Sequence, residues 1–126
     1  MEGRPSTAKV VKNKEKVMEY KSIKYQENSK VATIILNRPK QLNALSDELM
    51  HEIGIALDKI SKNDNIHVVV LKGNEKAFAA GADISQMEGL DYISHIKNDF
   101  IKPWEKISNF KKPIIAAVAG FALGGG

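Results

Sequence analysis

The 126 residues are enough for one domain with a core, and 43 % of them are hydrophobic. The chain has no cysteine, which excludes disulfides and thiolate metal sites. The net charge of +4 belongs to the first 24 residues, where seven Lys/Arg face three Asp/Glu; the remainder balances at twelve of each.

A neutral body offers no basic stripe for nucleic acid, which leaves the tail as the one place for RNA contact. His51, His67 and His95 are dispersed and read as surface or core side chains, so no metal site is expected. No apolar run approaches the ~18 residues of a membrane span.

Residues 1–18 read as a flexible basic extension, lysine-rich and poor in large apolar groups. One arginine, Arg4, and acids at Glu2 and Glu15 make a poor mitochondrial presequence, and Met18 is an alternative start. Residues 19–126 are the folded part. Residues 20–26 alternate loosely, 27–30 are turn chemistry, and 31–36 are a β-branched run; together they predict a hairpin. Pro39 ends its second strand.

A loop follows over residues 40–45, with Lys40, Gln41 and Asn43 as its polar groups. Ser46 is an N-cap, with Asp47 and Glu48 in the first turn. Leu49, Ile53, Leu57 and Ile60 form the core stripe of the helix. It stops at Asn63, Asp64 and Asn65. Residues 66–71 predict a strand covered on both faces. A second helix is expected from Asp91 to Ile107, with Pro103 inside it and Trp104 as a core anchor. Residues 114–118 predict another buried strand. A hairpin, a helix and then buried strands suggest an α/β chain built from a repeating unit.

Residues 77–84 read Ala-Phe-Ala-Ala-Gly-Ala-Asp-Ile. Small residues leave main-chain N–H groups open to a ligand, which suits an oxygen that acquires negative charge. Alone, the octet favours a tight, close-packed turn. Residues 119–126 repeat the feature after the next strand, ending in Gly124, Gly125 and Gly126. Neither loop carries a dinucleotide fingerprint, a P-loop or a serine-hydrolase elbow. Two such loops raise the case for a shared site.

Three stretches carry a resemblance. They are Leu36-Asn37-Arg38-Pro39 with Leu42-Asn43-Ala44-Leu45, the octet from Ala77 to Ile84, and Lys112-Pro113-Ile114-Ile115-Ala116-Ala117-Val118 with the glycine-rich end from Gly120. In this order they resemble the enoyl-CoA hydratase (crotonase) family from about residue 19 onward. The resemblance implies a spiral of strand–strand–helix repeats, of which 19–126 would be the N-terminal part. It implies a lyase of fatty-acid metabolism that hydrates 2-enoyl-CoA. Isomerisation, thioester hydrolysis and a non-catalytic acyl-CoA-binding role are the alternatives.

The family pattern implies an oxyanion hole made by the N–H groups of Ala82 and Gly125, where a larger residue would crowd the thioester. CoA would run along Lys40, Gln41, Leu42 and Ala80, with Asp83, Ile84 and Ser85 beside it and Lys40 on phosphate. No cofactor is implied, since coenzyme A is part of the substrate. The acid–base glutamates of the family match no position here, so the 126 residues alone are expected to be inactive. Ala119 and Ser85 depart from residues common in the family, Asn and Lys. The resemblance further implies a trimer or hexamer, cytoplasmic in a bacterium or in the mitochondrial matrix of a eukaryote, and not secreted.

Overall fold

The computed structural model describes residues 19–83 and 101–126. The chain begins with an antiparallel pair, β1 (Ile23–Asn28) and β2 (Val31–Leu36). The turn between them is Ser29-Lys30, with Ser29 in the left-handed region at φ 59°. It is tighter than the expected turn over 27–30, because Glu27 and Asn28 pair with Ala32 and Val31. β2 alternates as its pattern demands: Ala32, Ile34 and Leu36 are buried, and the residues between them half-buried.

Helix α1 (Asp47–Ser61) begins where the sequence placed it. The Ser46 hydroxyl accepts from the Leu49 N–H at 3.1 Å, and Asp47 and Glu48 stand at the positive end of the helix. Its inner stripe of Leu49, Ile53, Leu57 and Ile60 is almost fully buried. Each such side chain contributes roughly 1.5–3 kcal/mol by leaving water. The stripe packs on Ile23, Ile34 and Leu36. The helix also holds the start of β1 through charge. Buried Glu52 accepts from the N–H groups of Lys21 (2.9 Å) and Ser22 (2.7 Å), and Glu48 accepts from the Ser22 hydroxyl at 2.7 Å. Burial, and then the Glu52 charge, push the Tyr20 phenol up to about 12.

α1 is the crossover that lets β3 (Val68–Lys72) lie parallel to β2. β3 starts two residues later than expected, and Ile66 is buried just ahead of it. Only Val69 on this strand is fully buried, with its neighbours half-buried, so the expected cover on both faces is incomplete among the described residues. β4 (Ala77–Ala79) follows, then helix α2 (Ile101–Ser108), β5 (Ile114–Ala117) and β6 (Phe121–Ala122). The expected helix start at Asp91 lies outside the described residues, as does the extension over 1–18.

Among the described residues the strands form two sheets, ordered β1-β2-β3-β5 and β4-β6. Beyond the β1–β2 hairpin, each pass of the chain adds one parallel strand to the first sheet and then one to the second. This is the expected spiral of strand–strand–helix repeats. Its second layer corrects the expectation that residues 77–84 are a turn: Ala77, Phe78 and Ala79 are a buried strand. Gly120 makes the passage into β6 possible. It sits at φ 70°, where a Cβ would run into the Lys76 carbonyl that accepts from the Phe121 N–H at 2.9 Å.

The expectation of a buried strand over 114–118 is also corrected. Ile114 is half-buried, but Ile115 and Val118 are 54 % exposed, Phe121 51 % and Leu123 53 %. β5 is the outer strand of its sheet, and no described element covers it. Lys112 has its task at the end of α1. Its ammonium donates to the carbonyls of Ile60 (2.8 Å), Asn63 (2.7 Å) and Ile66 (2.7 Å), where α1 ends and the chain turns toward β3. Cations are favoured at that end of a helix, and the ammonium is a second donor to Ile60 O and Asn63 O, which also accept from the Asn63 and Ile66 N–H groups. Lys112→Met should therefore lower the unfolding free energy by ~2–3 kcal/mol in urea titrations. A loss below ~0.5 kcal/mol would mean that water replaces the ammonium.

Candidate functional site

Three loops meet at the carboxyl ends of the second-layer strands. They are the loop over 39–45, the segment 80–83 after β4, and the segment 123–126 after β6. The carboxyl ends of parallel strands are where open α/β sheets bind ligands.

The first loop is built by Arg38 and Asn43. Pro39–Gln41 form one 3-10 turn, and Leu42 and Asn43 then take left-handed conformations at φ 53° and 57°. Asn43 is wholly buried. Its side-chain oxygen accepts from the Arg38 N–H at 2.7 Å, and its own N–H donates to the Arg38 carbonyl at 2.9 Å. The Asn43 amide nitrogen donates to Ala77 O on β4 at 3.0 Å, which fastens the loop to the second layer. Lys40, Gln41 and Leu42 are left exposed on its outer side.

The segment over 80–83 is held by this loop from one side. The Ala80 N–H donates to Leu42 O (3.1 Å), the Leu45 N–H to Gly81 O (2.7 Å), and the Asp83 N–H to Leu45 O (3.1 Å). Leu45 and Ala82 thus form a parallel bridge. In such a bridge the residue between the two bonded groups turns its own N–H to the opposite side. For Ala82 that side carries β6 and the segment 123–126. Leu123 N–H donates to Ala79 O there at 3.1 Å, and a Cβ on Gly81 would come within 3.0 Å of Leu123 O. The N–H of Gly126 donates to Leu123 O at 2.7 Å, closing a turn around Gly124 and Gly125. The amides of Gly81, Ala82, Gly124 and Gly125 have no acceptor among the described residues. The two small-residue loops are adjacent, with a hypothetical Gly124 Cβ 3.8 Å from Gly81 Cα.

Gly125 backs onto α2. A Cβ there would lie 2.6 Å from Cη2 of Trp104, so bulk at Gly125 also meets the indole. Trp104 packs against the core, as expected of an anchor. Asp83, expected beside CoA, is paired with Arg38 at 3.0 Å, and both side chains are mostly buried. The same guanidinium donates from its other arm to Ala44 O. The sequence reading used Arg38 only as a letter of a motif, and Asn43 as that and as a polar group of the loop. An Asn in the loop that follows Pro39 was the signal available for a structural task at Asn43.

The structure therefore brings Leu42, Ala80, Ala82, Asp83 and Gly125 into one region, with Lys40 and Gln41 on the adjoining turn. Ile84 and Ser85 lie outside the described residues. A separate groove between α1 and α2, lined in part by Asp47, His51, Lys102 and Lys106, receives none of these loops. No three His, Asp or Glu side chains gather as metal ligands among the described residues. No helix among them is long and apolar enough to cross a membrane.

A sequence profile of the family described as enoyl-CoA hydratase/isomerase matches residues 26–126. The chain belongs to the enoyl-CoA hydratase/isomerase family. A probable enoyl-CoA hydratase of Rhizobium meliloti is 48 % identical over 109 residues, covering 86 % of this chain and 42 % of that protein. The mitochondrial enoyl-CoA hydratase of Pongo abelii is 46 % identical over 100 residues, covering 79 % and 34 %. The crystal structure of an enoyl-CoA hydratase subunit I of Geobacillus kaustophilus superposes with a TM-score of 0.79 at 42 % identity, over 86 % of this chain and 42 % of that one. The two-layered spiral is thus the crotonase fold of enoyl-CoA hydratases. The chain spans less than half the length of these relatives.

Asn43 is the residue on which the first loop turns. Asn43→Ala should cost ~1–3 kcal/mol, because the Arg38 N–H loses its partner and the Ala77 carbonyl keeps only the Asn74 N–H. Thermal unfolding checks it; an unchanged midpoint would show that the loop closes without the side chain.

Proposed function

We propose that this chain carries the thioester-binding part of an enoyl-CoA hydratase, a lyase that reversibly hydrates a 2-enoyl-CoA to a 3-hydroxyacyl-CoA in fatty-acid or amino-acid breakdown. The observation that carries the reading is the meeting of the two small-residue loops, with the amides of Ala82 and Gly125 lacking acceptors among the described residues. Adding water across the conjugated double bond builds enolate charge on the thioester oxygen. Two fixed N–H donors stabilise that charge more than they stabilise the ground-state carbonyl, and this difference lowers the barrier.

The CoA portion would follow the exposed turn of Lys40, Gln41 and Leu42 past Ala80, with the Lys40 ammonium toward phosphate. Asp83 would not repel that phosphate, because its charge is matched by Arg38. Ile84 and Ser85 would continue the same wall. Coenzyme A enters as part of the substrate, and no separate cofactor takes part. The acid and base that move the water's protons would be glutamates beyond residue 126. The active assembly would be a trimer or hexamer. Its compartment would be the cytoplasm of a bacterium or the mitochondrial matrix of a eukaryote; one relative is bacterial and another is named as mitochondrial.

A second reading, double-bond isomerisation, draws on the family description, which names both reactions. Both use the same stabilised oxyanion, and crotonyl-CoA against a 3-enoyl-CoA distinguishes them by product. A silent acyl-CoA-binding role predicts binding of both without conversion.

Ala82→Pro removes one donor N–H that makes no bond among the described residues. In a chain of the relatives' length it should lower kcat for crotonyl-CoA by ~10²–10³-fold with a smaller change in KM. Loss of the enone absorbance measures this. Undiminished turnover by that variant would remove Ala82 from the oxyanion site.

A further inference from the structure

We infer that Arg38 is a positioning residue for the Ala82 amide, an inference that rests on the thioester-site reading above. Ala82 has no side chain that could aim its N–H. The direction of that N–H is fixed because its own peptide carries Gly81 O, which accepts from the Leu45 N–H, and the next peptide carries the Asp83 N–H, which donates to Leu45 O. Arg38 holds the neighbours of both bridge members at once. One guanidinium arm donates to Ala44 O, the residue before Leu45. The other meets the carboxylate of Asp83, the residue after Ala82, at 3.0 Å.

The guanidinium side chain is 17 % exposed and the carboxylate side chain 11 %, so the pair is little screened by solvent. A planar fork can satisfy two acceptors in fixed directions, whereas an ammonium acts as a point charge. Arg38 does not itself donate to the thioester oxygen in this arrangement. It keeps the bridge closed, and the closed bridge keeps the amide turned toward the segment 123–126. A donor displaced by a fraction of an ångström polarises a carbonyl less, although the ligand still binds.

The test is difference infrared spectroscopy of crotonyl-CoA labelled with ¹³C at the thioester carbonyl, at saturating ligand. The unsubstituted protein should shift the carbonyl stretch to lower frequency. Arg38→Met should retain about half of that shift or less, and Arg38→Lys should fall between. Affinity for CoA without an acyl group, measured by titration, should change less than about twofold, because the lost contact is not to CoA. A full-sized shift in saturated Arg38→Met would overturn the inference and leave the thioester reading standing. An absent shift in the unsubstituted protein would overturn that reading, and the inference with it. If circular dichroism finds Arg38→Met unfolded, Asp83→Asn decides in the same way: it removes the charge pair while keeping the side chain's shape, and a full-sized shift there overturns the inference.

Discussion

Two hydrogen bonds, from Leu45 N–H to Gly81 O and from Asp83 N–H to Leu45 O, organise everything around the site. They are main-chain bonds between segments that are remote in sequence, so no single side chain supplies them. They form only if the loop after β2 closes in one shape and β4 lies in one register. The first requirement falls on Asn43 and the left-handed pair Leu42-Asn43; the second falls on the buried Ala-Phe-Ala of β4. Small residues then become a necessity, because main chain must approach main chain on both sides of the same short segment.

The remainder of the fold serves that approach. α1 fills the space under the first sheet with an apolar stripe and uses Glu48 and Glu52 to tie down the residues ahead of β1. Lys112 closes the far end of the same helix. Trp104 supplies a rigid floor behind Gly125. Apolar burial gives most of the stability, and a few charged groups satisfy main-chain atoms that packing alone would strand.

Local signals made much of this legible. Ser46 with Asp47 and Glu48 marked the start of α1, and the spacing of Leu49, Ile53, Leu57 and Ile60 marked its inner face. β-branched runs marked β2 and, to within two residues, β3. What the residues hid was non-local. Ala-Phe-Ala is too short and too poor in strand-forming residues to announce β4. The Arg38–Asp83 pair joins distant positions, and no periodicity encodes such a contact. An apolar run such as Ile114 to Val118 says that a strand prefers cover, but only the packed elements decide whether it has any. The site residues came from the motif resemblance rather than from periodicity, since main-chain donors leave no side-chain signature.

The half-exposed apolar side chains in and just after β5 and β6 have a calorimetric consequence. Denaturant sensitivity and the heat-capacity step of unfolding both scale with the nonpolar area newly hydrated. Ile115, Val118, Phe121 and Leu123 already stand half in water in the native state. They therefore add less to either quantity than the same side chains would beneath a packed layer.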